Sequence, residues 1–459
     1  MIGYTQSPFE VCEIAVKIKV SPPQACRGRS RIVVCPDAYL CLVVLKEIMD
    51  RRRVLTIFLI VFVNFLGASI VQPILPLYAG GRFGASPGTI SILLASYFAA
   101  QFLAAPVLGQ LSDRYGRLPV LVLSQVGTVA SFLILAGAES LPMLFAGRIL
   151  DGITGGNVIV AQAYLTDIST PKQRAGALGV VFMAFGLGYA LGPAVGGFIS
   201  ALADDRTAYY VAAGISLVTV LMTIFLLDES LTPAQRLARR LNSQSKLGAH
   251  DVVSNPSLMV IMALGFVAQL SIALMNSTLA LYGEQVIFAG QPSDNVHLGN
   301  GLIFSGFGIG QVIAQLFLLR PLIARYGEKW LIVFGAVFRG LSIMSIVLIV
   351  SPFWVAGVAM PLVAISSGVM MPSVQTLATT SVSRSVSGAA LGWYQSAATM
   401  GIILGTALGG QFFSIAPALP YLIAGGILLL TTIPALYLKR IHKPYIEPEP
   451  DISPATVAV

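Results

Sequence analysis

The stretch Gly109-Gln-Leu-Ser-Asp113-Arg114-Tyr-Gly116-Arg117-Leu-Pro119-Val120 lies between two long apolar segments and decides the fold. It places one acid, two arginines and two glycines within nine residues, although charged residues make up only 10% of the chain. Glycines permit a tight reversal of the backbone. The stretch therefore predicts a charged turn at the surface of a membrane, joining two helices that cross it.

The overall composition supports this interpretation, because 56% of the 459 residues are hydrophobic. A soluble protein carries about 25% charged residues. A helix needs about 20 apolar residues to cross a bilayer and satisfies its backbone polar groups internally. The sequence predicts an all-α membrane protein with twelve transmembrane helices. The predicted spans are residues 54–78, 87–108, 118–138, 141–165, 175–202, 208–227, 257–286, 297–319, 330–350, 353–380, 387–415 and 420–438.

A polar and basic stretch, residues 228–256, divides the spans into two sets of six. We expect an N-terminal half at 49–227, a cytoplasmic central loop at 228–256, a C-terminal half at 257–440 and a disordered cytoplasmic tail at 441–459. All four cysteines lie before residue 42, and their spacing matches no zinc site. Because Met49 and three nearby arginines resemble a natural beginning, we expect residues 1–48 to be a non-native extension or a disordered leader.

The net charge of +8 is explained by the positive-inside bias of membrane proteins rather than by nucleic-acid binding. From Arg51 onwards, the basic residues outside the spans fall on one side of the twelve-span model, except Arg82 and Arg206. This asymmetry predicts a multi-pass protein of the plasma (inner) membrane with both termini in the cytoplasm. We expect a monomer whose partners are the lipid bilayer, a small-molecule substrate and protons.

The two halves repeat each other. Leu111, Arg114, Tyr115 and Gly116 reappear 211 residues later, whereas Ala324 stands where the first copy has Asp113. Five glycines reappear 213 residues later: Gly179, Gly188, Gly192, Gly196 and Gly197 become Gly392, Gly401, Gly405, Gly409 and Gly410. Two parallel six-span halves form a known transporter plan.

With these motifs the chain resembles the major facilitator superfamily, and within it the drug/proton antiporters, especially tetracycline efflux proteins. The stretch 109–120 matches the superfamily's loop between spans two and three. Residues 147–156, 164–167 and 188–197 add further likeness, and the last resembles the antiporter signature of span five. The chain departs from tetracycline exporters in carrying Asn64 and Ser131 where those proteins carry acids.

The resemblance implies that the charged turn acts as a gate. We expect Asp113 to lie near the N-terminus of span eleven, around 388–392, where the helix dipole favours an acid. Arg117 is expected to pair with Asp167. The alternative is an ordinary charged turn that fixes orientation. The residues expected in the gate are Gly109, Asp113, Arg114, Gly116, Arg117 and Asp167.

Span four carries Arg148 and Asp151, which lie on one helix face because they are three residues apart. A charge inside the bilayer is costly and faces a cavity or a partner. The resemblance implies a proton-coupling role for Arg148, and we add Asp151 as the carboxylate. The alternative is a structural ion pair, in which case Glu284 becomes the next candidate. Buried Arg339 is expected to be structural.

Two further groups are expected to serve transport. Small residues at spacings of four allow close helix packing, so we expect a seam between the halves at Gly188, Gly192, Pro193, Gly196 and Gly197. In this superfamily spans one, four, seven and ten line the substrate cavity. The polar residues expected there are Asn64, Gln72, Asn157, Gln269, Asn276 and Gln375.

These features predict a secondary active transporter that exports small lipophilic or drug-like compounds by proton-coupled alternating access. A metabolite uniporter or symporter of the same superfamily is the alternative, and a non-transporting membrane sensor is the alternative from another class. An enzyme is not expected, because the predicted spans contain no Cys and no His apart from His297 at the outer edge of span eight, and the chain has no GxxxxGK[ST] motif. We expect no metal and no cofactor, and the proton gradient as the energy source.

Overall fold

The computed structural model describes residues 36–155, 157–168, 174–231, 248–383 and 386–441. Every regular element in these ranges is a helix. The chain divides into two compact units, Met1–Thr56 and Ile57–Val459. Within the first unit, the helix Pro36–Phe83 begins. Residues 1–35 lie outside the described residues, so the expectation for the leader at 1–48 stays a prediction.

Eleven helices in the described ranges are long and apolar enough to cross a membrane. They correspond to all predicted spans except span 4, which consists of Leu141–Thr154 and Asn157–Ile168, with Gly156 outside the described residues. The fold is therefore consistent with twelve spans. The other spans are span 1 (Leu55–Phe83), span 2 (Pro87–Tyr115), span 3 (Arg117–Ala136), span 5 (Arg174–Leu202), span 6 (Asp205–Leu226), span 7 (Pro256–Ile287), span 8 (Ser293–Tyr326), span 9 (Glu328–Leu348), span 10 (Pro352–Thr380), span 11 (Ser387–Ile415) and span 12 (Leu419–Leu438).

Successive spans end alternately at two faces of the protein. We call the face with the turns at Gly116 and Gly327 the proximal face, and the face with the connection between Phe83 and Pro87 the distal face. A short helix, Ala249–Val253, precedes span 7 on the proximal side. Spans 7, 8 and 10 each contain one π-helical turn.

The charged stretch is less of a loop than its sequence suggests. Span 2 continues as a helix to Tyr115, and span 3 begins at Arg117. Gly116 alone makes the reversal, with a φ of 113°, and its repeat partner Gly327 has a φ of 75°. Only glycine adopts such values readily. Gly109 lies inside the helix, so its expected part in the reversal is wrong.

The same close contacts recur in both halves. Span 5 packs against span 1, and span 11 packs against span 7, through glycine stripes. Span 5 also contacts span 8, and span 2 contacts span 11; these two contacts join the N-terminal half to the C-terminal half. The buried core includes Ile70 and Leu135 from the first half and Leu274 and Ile303 from the second.

Candidate functional site

On the proximal face, Arg117 is the centre of a buried charge cluster. Arg117 as a whole residue is only 4% exposed. Its Nε donates to Asp167 Oδ2 at 3.0 Å, its Nη2 lies 2.7 Å from Asp113 Oδ1, and its Nη1 donates to Ser112 Oγ. Two carboxylates on one buried guanidinium are charge-assisted contacts of the strong kind. The structure thus brings together Asp113, Arg117 and Asp167 from the predicted gate and ties the end of span 4 to the turn.

Glu229 completes this cluster and was missed by sequence reasoning. Its Oε1 accepts from Arg117 N at 2.9 Å, and its Oε2 accepts from Leu118 N at 3.2 Å. These two N–H groups belong to the first turn of span 3 and have no partner within the helix. A negatively charged side chain at this position is also stabilised by the positive end of the helix dipole. The chain separation of 112 residues gave no local signal.

The other gate residues lie along the same turn. The Arg114 guanidinium lies 5.2 Å from the centroid of the Tyr115 ring. Asp113 is 46% exposed at its side chain while it pairs with Arg117. Its expected approach to the start of span 11 stays a prediction. A Cβ at Gly388 or Gly392 would meet no described atom within 4 Å, and residues 384–385 lie outside the described residues.

In span 4, Arg148 and Asp151 form a buried ion pair. Arg148 Nη1 lies 3.1 Å from Asp151 Oδ2, and the side chains are 12% and 10% exposed. The guanidinium also lies 4.4 Å from the centroid of the Tyr97 ring in span 2. This cation–π contact stabilises a desolvated cation. Arg148 Nε has no hydrogen-bond partner among the described residues.

Span 2 approaches span 4 closely at this pair. A Cβ at Gly152 would collide with the carbonyl oxygen of Tyr97, so a glycine is required there. Gln101 Nε2 donates to the Gly155 carbonyl at 2.9 Å and to Tyr97 Oη at 3.3 Å. Tyr97 is therefore fixed over Arg148 by its own helix and by span 4. Tyr97 was not among the predicted site residues.

Near this pair, half-buried aromatic rings gather where spans 1, 5 and 8 meet. Phe65 and Phe185 have ring centroids 4.6 Å apart, and Phe185 and Tyr189 are 4.8 Å apart. Phe307 of the other half lies 6.5 Å from Tyr189. Tyr189 Oη donates to Gln72 Oε1 at 2.7 Å. Gln72 was predicted to line the cavity, whereas these rings were not singled out.

The remaining cavity candidates are half-buried in spans 1, 7 and 10. Asn64 lines a small void of about 10 Å³ together with Gln125. Both amide atoms of Gln125 lack partners among the described residues. The side chain of Asn157 lies outside the described residues. The half-buried candidates are Asn64, Gln269, Asn276 and Gln375.

Three glycines of the expected seam, Gly188, Gly192 and Gly196, pack against span 1 within the N-terminal half instead of between the halves. A Cβ at Gly188 would lie 2.6 Å from Phe65 Cβ, and one at Gly192 would lie 2.7 Å from the Leu66 carbonyl oxygen, both in span 1. Gly197 directly follows Gly196, so it lies about 100° further around the helix and faces the other half. A Cβ at Gly197 would collide with the His297 carbonyl oxygen in span 8.

The second half repeats this arrangement. Gly401 and Gly405 lie against span 7, and a Cβ at Gly410 would collide with the Pro87 carbonyl oxygen of span 2. Gly197 and Gly410, which correspond in the repeat, therefore make matching contacts between the halves near the distal face. Pro193 adds to the first contact, because its carbonyl oxygen would lie 2.5 Å from a Cβ at Gly301.

Arg339 is fully buried in span 9, as a structural residue is expected to be. Its Nη2 donates to the carbonyl oxygen of Ala268 in span 7. Its Nε and Nη1 have no partner among the described residues. Within the described ranges, no group of His, Cys, Asp and Glu side chains has the arrangement of a metal site.

Two six-span halves with matching contacts define a multi-pass helical membrane protein of the transporter class. The chain belongs to the Major Facilitator Superfamily, whose family model matches residues 57–292 and 293–457. This confirms the resemblance found in the motifs. The family and fold are those of transporters rather than enzymes.

Named relatives agree with this membership. The chain is 31% identical to the class C tetracycline resistance protein of Escherichia coli, over 69% of this chain and 78% of the relative. It is 25% identical to multidrug resistance protein 2 of Bacillus subtilis, over 84% of this chain and 95% of the relative. The human organic anion transporter MFSD10 has a similar fold, with a TM-score of 0.64, 21% identity, and coverage of 84% of this chain and 99% of that chain. The nucleoside transporter NupG also shares the fold, with a TM-score of 0.67, 15% identity, and coverage of 84% and 99%.

Proposed function

We propose that the protein exports small lipophilic, drug-like compounds in exchange for protons by alternating access. The observation that carries the proposal is the buried pair of Arg148 and Asp151, 3.1 Å apart in span 4. Relatives named for tetracycline and multidrug resistance support export. The basic residues on the proximal side support a plasma-membrane protein with cytoplasmic termini.

Asp151 is the proposed proton carrier. With the acid ionised, the two charges neutralise each other and hold the guanidinium against Tyr97. A proton on Asp151 removes the partner charge and leaves a buried cation that is costly to keep in place. The two protonation states therefore favour different arrangements of Arg148, which is what coupling requires.

The proposed substrate site combines the aromatic rings with neutral amides. Phe65, Phe185 and Phe307 offer faces for stacking, and Gln72 with Tyr189 offers hydrogen bonds. Aromatic faces attract planar apolar groups. Apart from the self-neutralised Arg148 pair, the candidate lining groups carry no charge, which favours a lipophilic compound over a phosphate or a dicarboxylate.

The proposed gate is the Arg117 cluster on the proximal face. In this arrangement Arg117 binds Asp113 and Asp167 together. If Asp113 moves to the start of span 11 when the proximal face closes, Asp113→Asn will slow transport without unfolding the protein. Normal transport by Asp113→Asn would leave the turn with an orienting role only.

The proton gradient suffices as the energy source, and the proposal includes no cofactor. A membrane potential of about 100 mV supplies about 2.3 kcal/mol per charge. At about 1.4 kcal/mol per tenfold, this supports roughly a 50-fold gradient of substrate.

The deciding experiment measures proton flux in proteoliposomes across a panel of lipophilic compounds. Substrate-dependent proton release is expected for the native chain and is expected to vanish in Asp151→Asn. Asp251→Asn, on the exposed proximal helix, is the matched control. Transport without proton movement would indicate a uniporter, and unchanged coupling in Asp151→Asn would redirect attention to Glu284.

A further inference from the structure

A cavity of about 610 Å³ lies at the distal face, and none of the proposed substrate or gate residues lines it. It lies between the two halves, because its walls come from the ends of spans 1 and 7 and from the starts of spans 6 and 8. Its lining is rich in charge, which is unusual in this chain. The charged or titratable residues lining it are Tyr78, Arg82, Asp204, Asp205, Arg206, Glu284 and His297.

Asp205 and His297 face each other across this cavity. His297 Nδ1 lies 3.6 Å from Asp205 Oδ1, and the side chains are 14% and 19% exposed. Neither atom has a hydrogen-bond partner among the described residues. Asp205 begins span 6 in the N-terminal half, and His297 lies in the first turns of span 8 in the C-terminal half. The pair therefore bridges the halves.

The backbone holds His297 where the halves touch. A Cβ at Gly197 of span 5 would collide with the His297 carbonyl oxygen. Span 6 begins at Asp205, a few residues after span 5 ends at Leu202. Separation of spans 5 and 8 at the distal face would consequently separate Asp205 from His297. The pair can form only while this face is closed.

The surrounding charges leave the pair available to a proton. Arg206 is directed elsewhere, since its Nη2 donates to the Ala138 carbonyl at 2.9 Å, and the Arg82 guanidinium lies 5.9 Å from the centroid of the Phe83 ring. The acids Asp204 and Glu284, which line the same cavity, favour a positive charge at His297. Histidine changes charge between about pH 5 and 8.

We infer that Asp205 and His297 form a second proton-binding site, on the distal face, and that proton binding there favours closure of that face. The side from which the proton binds rests on the proposed function, because the proposed orientation places the distal face outside the cell. Protonated His297 makes a charge-assisted contact with Asp205 that neutral His297 does not. By linkage, protons bind more tightly to the closed face and shift the population towards it. A proton taken up outside would thus return the exporter to its distal-closed state.

The test follows the separation of the halves by electron–electron double resonance in nanodiscs without substrate. Spin labels are attached at Ser140→Cys and Val350→Cys, on exposed distal connections of the two halves, with the four native cysteines replaced by Ser. All samples carry Asp151→Asn together with Arg148→Gln, so that neither the proposed coupling carboxylate nor an unpaired buried arginine contributes. Failure of the proposed function would be seen separately in the flux assay. The closed-to-open ratio is expected to rise about tenfold from about pH 8 to about pH 5.

His297→Gln is expected to abolish this pH dependence, and His250→Gln, an exposed histidine on the proximal side, is expected to keep it. If His297→Gln does not fold, Asp205→Asn is measured instead, and it is likewise expected to abolish the pH dependence. A ratio that does not change with pH, or an unchanged pH response after loss of His297 or of Asp205, would overturn the inference.

Discussion

Gly410→Ala is expected to disfavour closure of the distal face while leaving each half folded. Its new Cβ would collide with the carbonyl oxygen of Pro87, which belongs to the other half. Two glycines on the same helix serve as controls. Gly405 lies against the Leu270 carbonyl oxygen of its own half, and Gly392 has no described atom within 4 Å of an added Cβ.

The energetic effect of each substitution depends on whether the added methyl group collides with its own half or with the other half. Inserting a methylene into a close-packed site costs about 1–3 kcal/mol. For Gly405→Ala this cost applies to every folded state, so the free energy of unfolding falls. For Gly410→Ala it applies only to the distal-closed arrangement, whose population relative to the open one falls roughly 5- to 140-fold at about 1.4 kcal/mol per tenfold. Gly392→Ala is expected to stabilise by up to about 1 kcal/mol, since Ala favours a helix over Gly.

The assay combines thermal unfolding in detergent with the distance between spin labels at Ser140→Cys and Val350→Cys. Gly410→Ala should widen the label distribution with little change in unfolding, and Gly405→Ala should do the reverse. Gly410→Ala would refute this expectation by lowering stability as Gly405→Ala does while the label distances stay the same. That result would mean that the contact between spans 2 and 11 does not separate.

Three further predictions concern charged groups. Asp151→Asn is expected to destabilise by about 3–5 kcal/mol, because it leaves Arg148 buried and unpaired; adding Arg148→Gln should restore most of the stability in thermal unfolding but not the proton exchange. Glu229→Gln is expected to cost about 0.5–2 kcal/mol through the weakened cap of span 3, and unchanged unfolding would show that water replaces the cap. Hydrogen bonds from Thr207 hold the pKa of Asp204 below its ordinary value. Ionised Asp204 therefore stabilises the folded protein at pH values above its unfolded-state pKa, and this stabilisation is lost as the pH falls through its folded-state pKa. Asp204→Ala should remove both that stabilisation and its loss in acid, measured by unfolding as a function of pH.

Much of the fold could be predicted because its signals are local. Long apolar runs identify spans, and the positions of the repeated glycines reveal the duplication. The pairing of Arg148 with Asp151 follows from a spacing of three residues on a helix. The tight turn at Gly116 was predicted correctly, but span 2 was ended too early, because the charged residues before the turn continue its helix beyond the apolar run.

The missed residues share a physical reason. Tyr97 lies over Arg148, Glu229 caps span 3, and His297 faces Asp205 only because helices distant in sequence pack side by side. Hydrophobic periodicity shows which face of a helix is buried but not which helix covers it. For the same reason, glycine spacing predicted close packing but not every neighbour. Gly188, Gly192 and Gly196 pack against span 1 of their own half, whereas Pro193 and Gly197 contact span 8 of the other half.

The duplication separates two kinds of residue in this transporter. Gly197 and Gly410 occupy equivalent positions and make equivalent contacts, as do the turn glycines Gly116 and Gly327. Motion of one half against the other needs such matched contacts, since both sides of the interface must open together. The charges do not follow the repeat, because Ala324 replaces the acid of the first turn. Closure is therefore a property that both halves share, whereas the proposed response to protons is assigned to groups that only one half supplies, or that a pair across the halves supplies jointly.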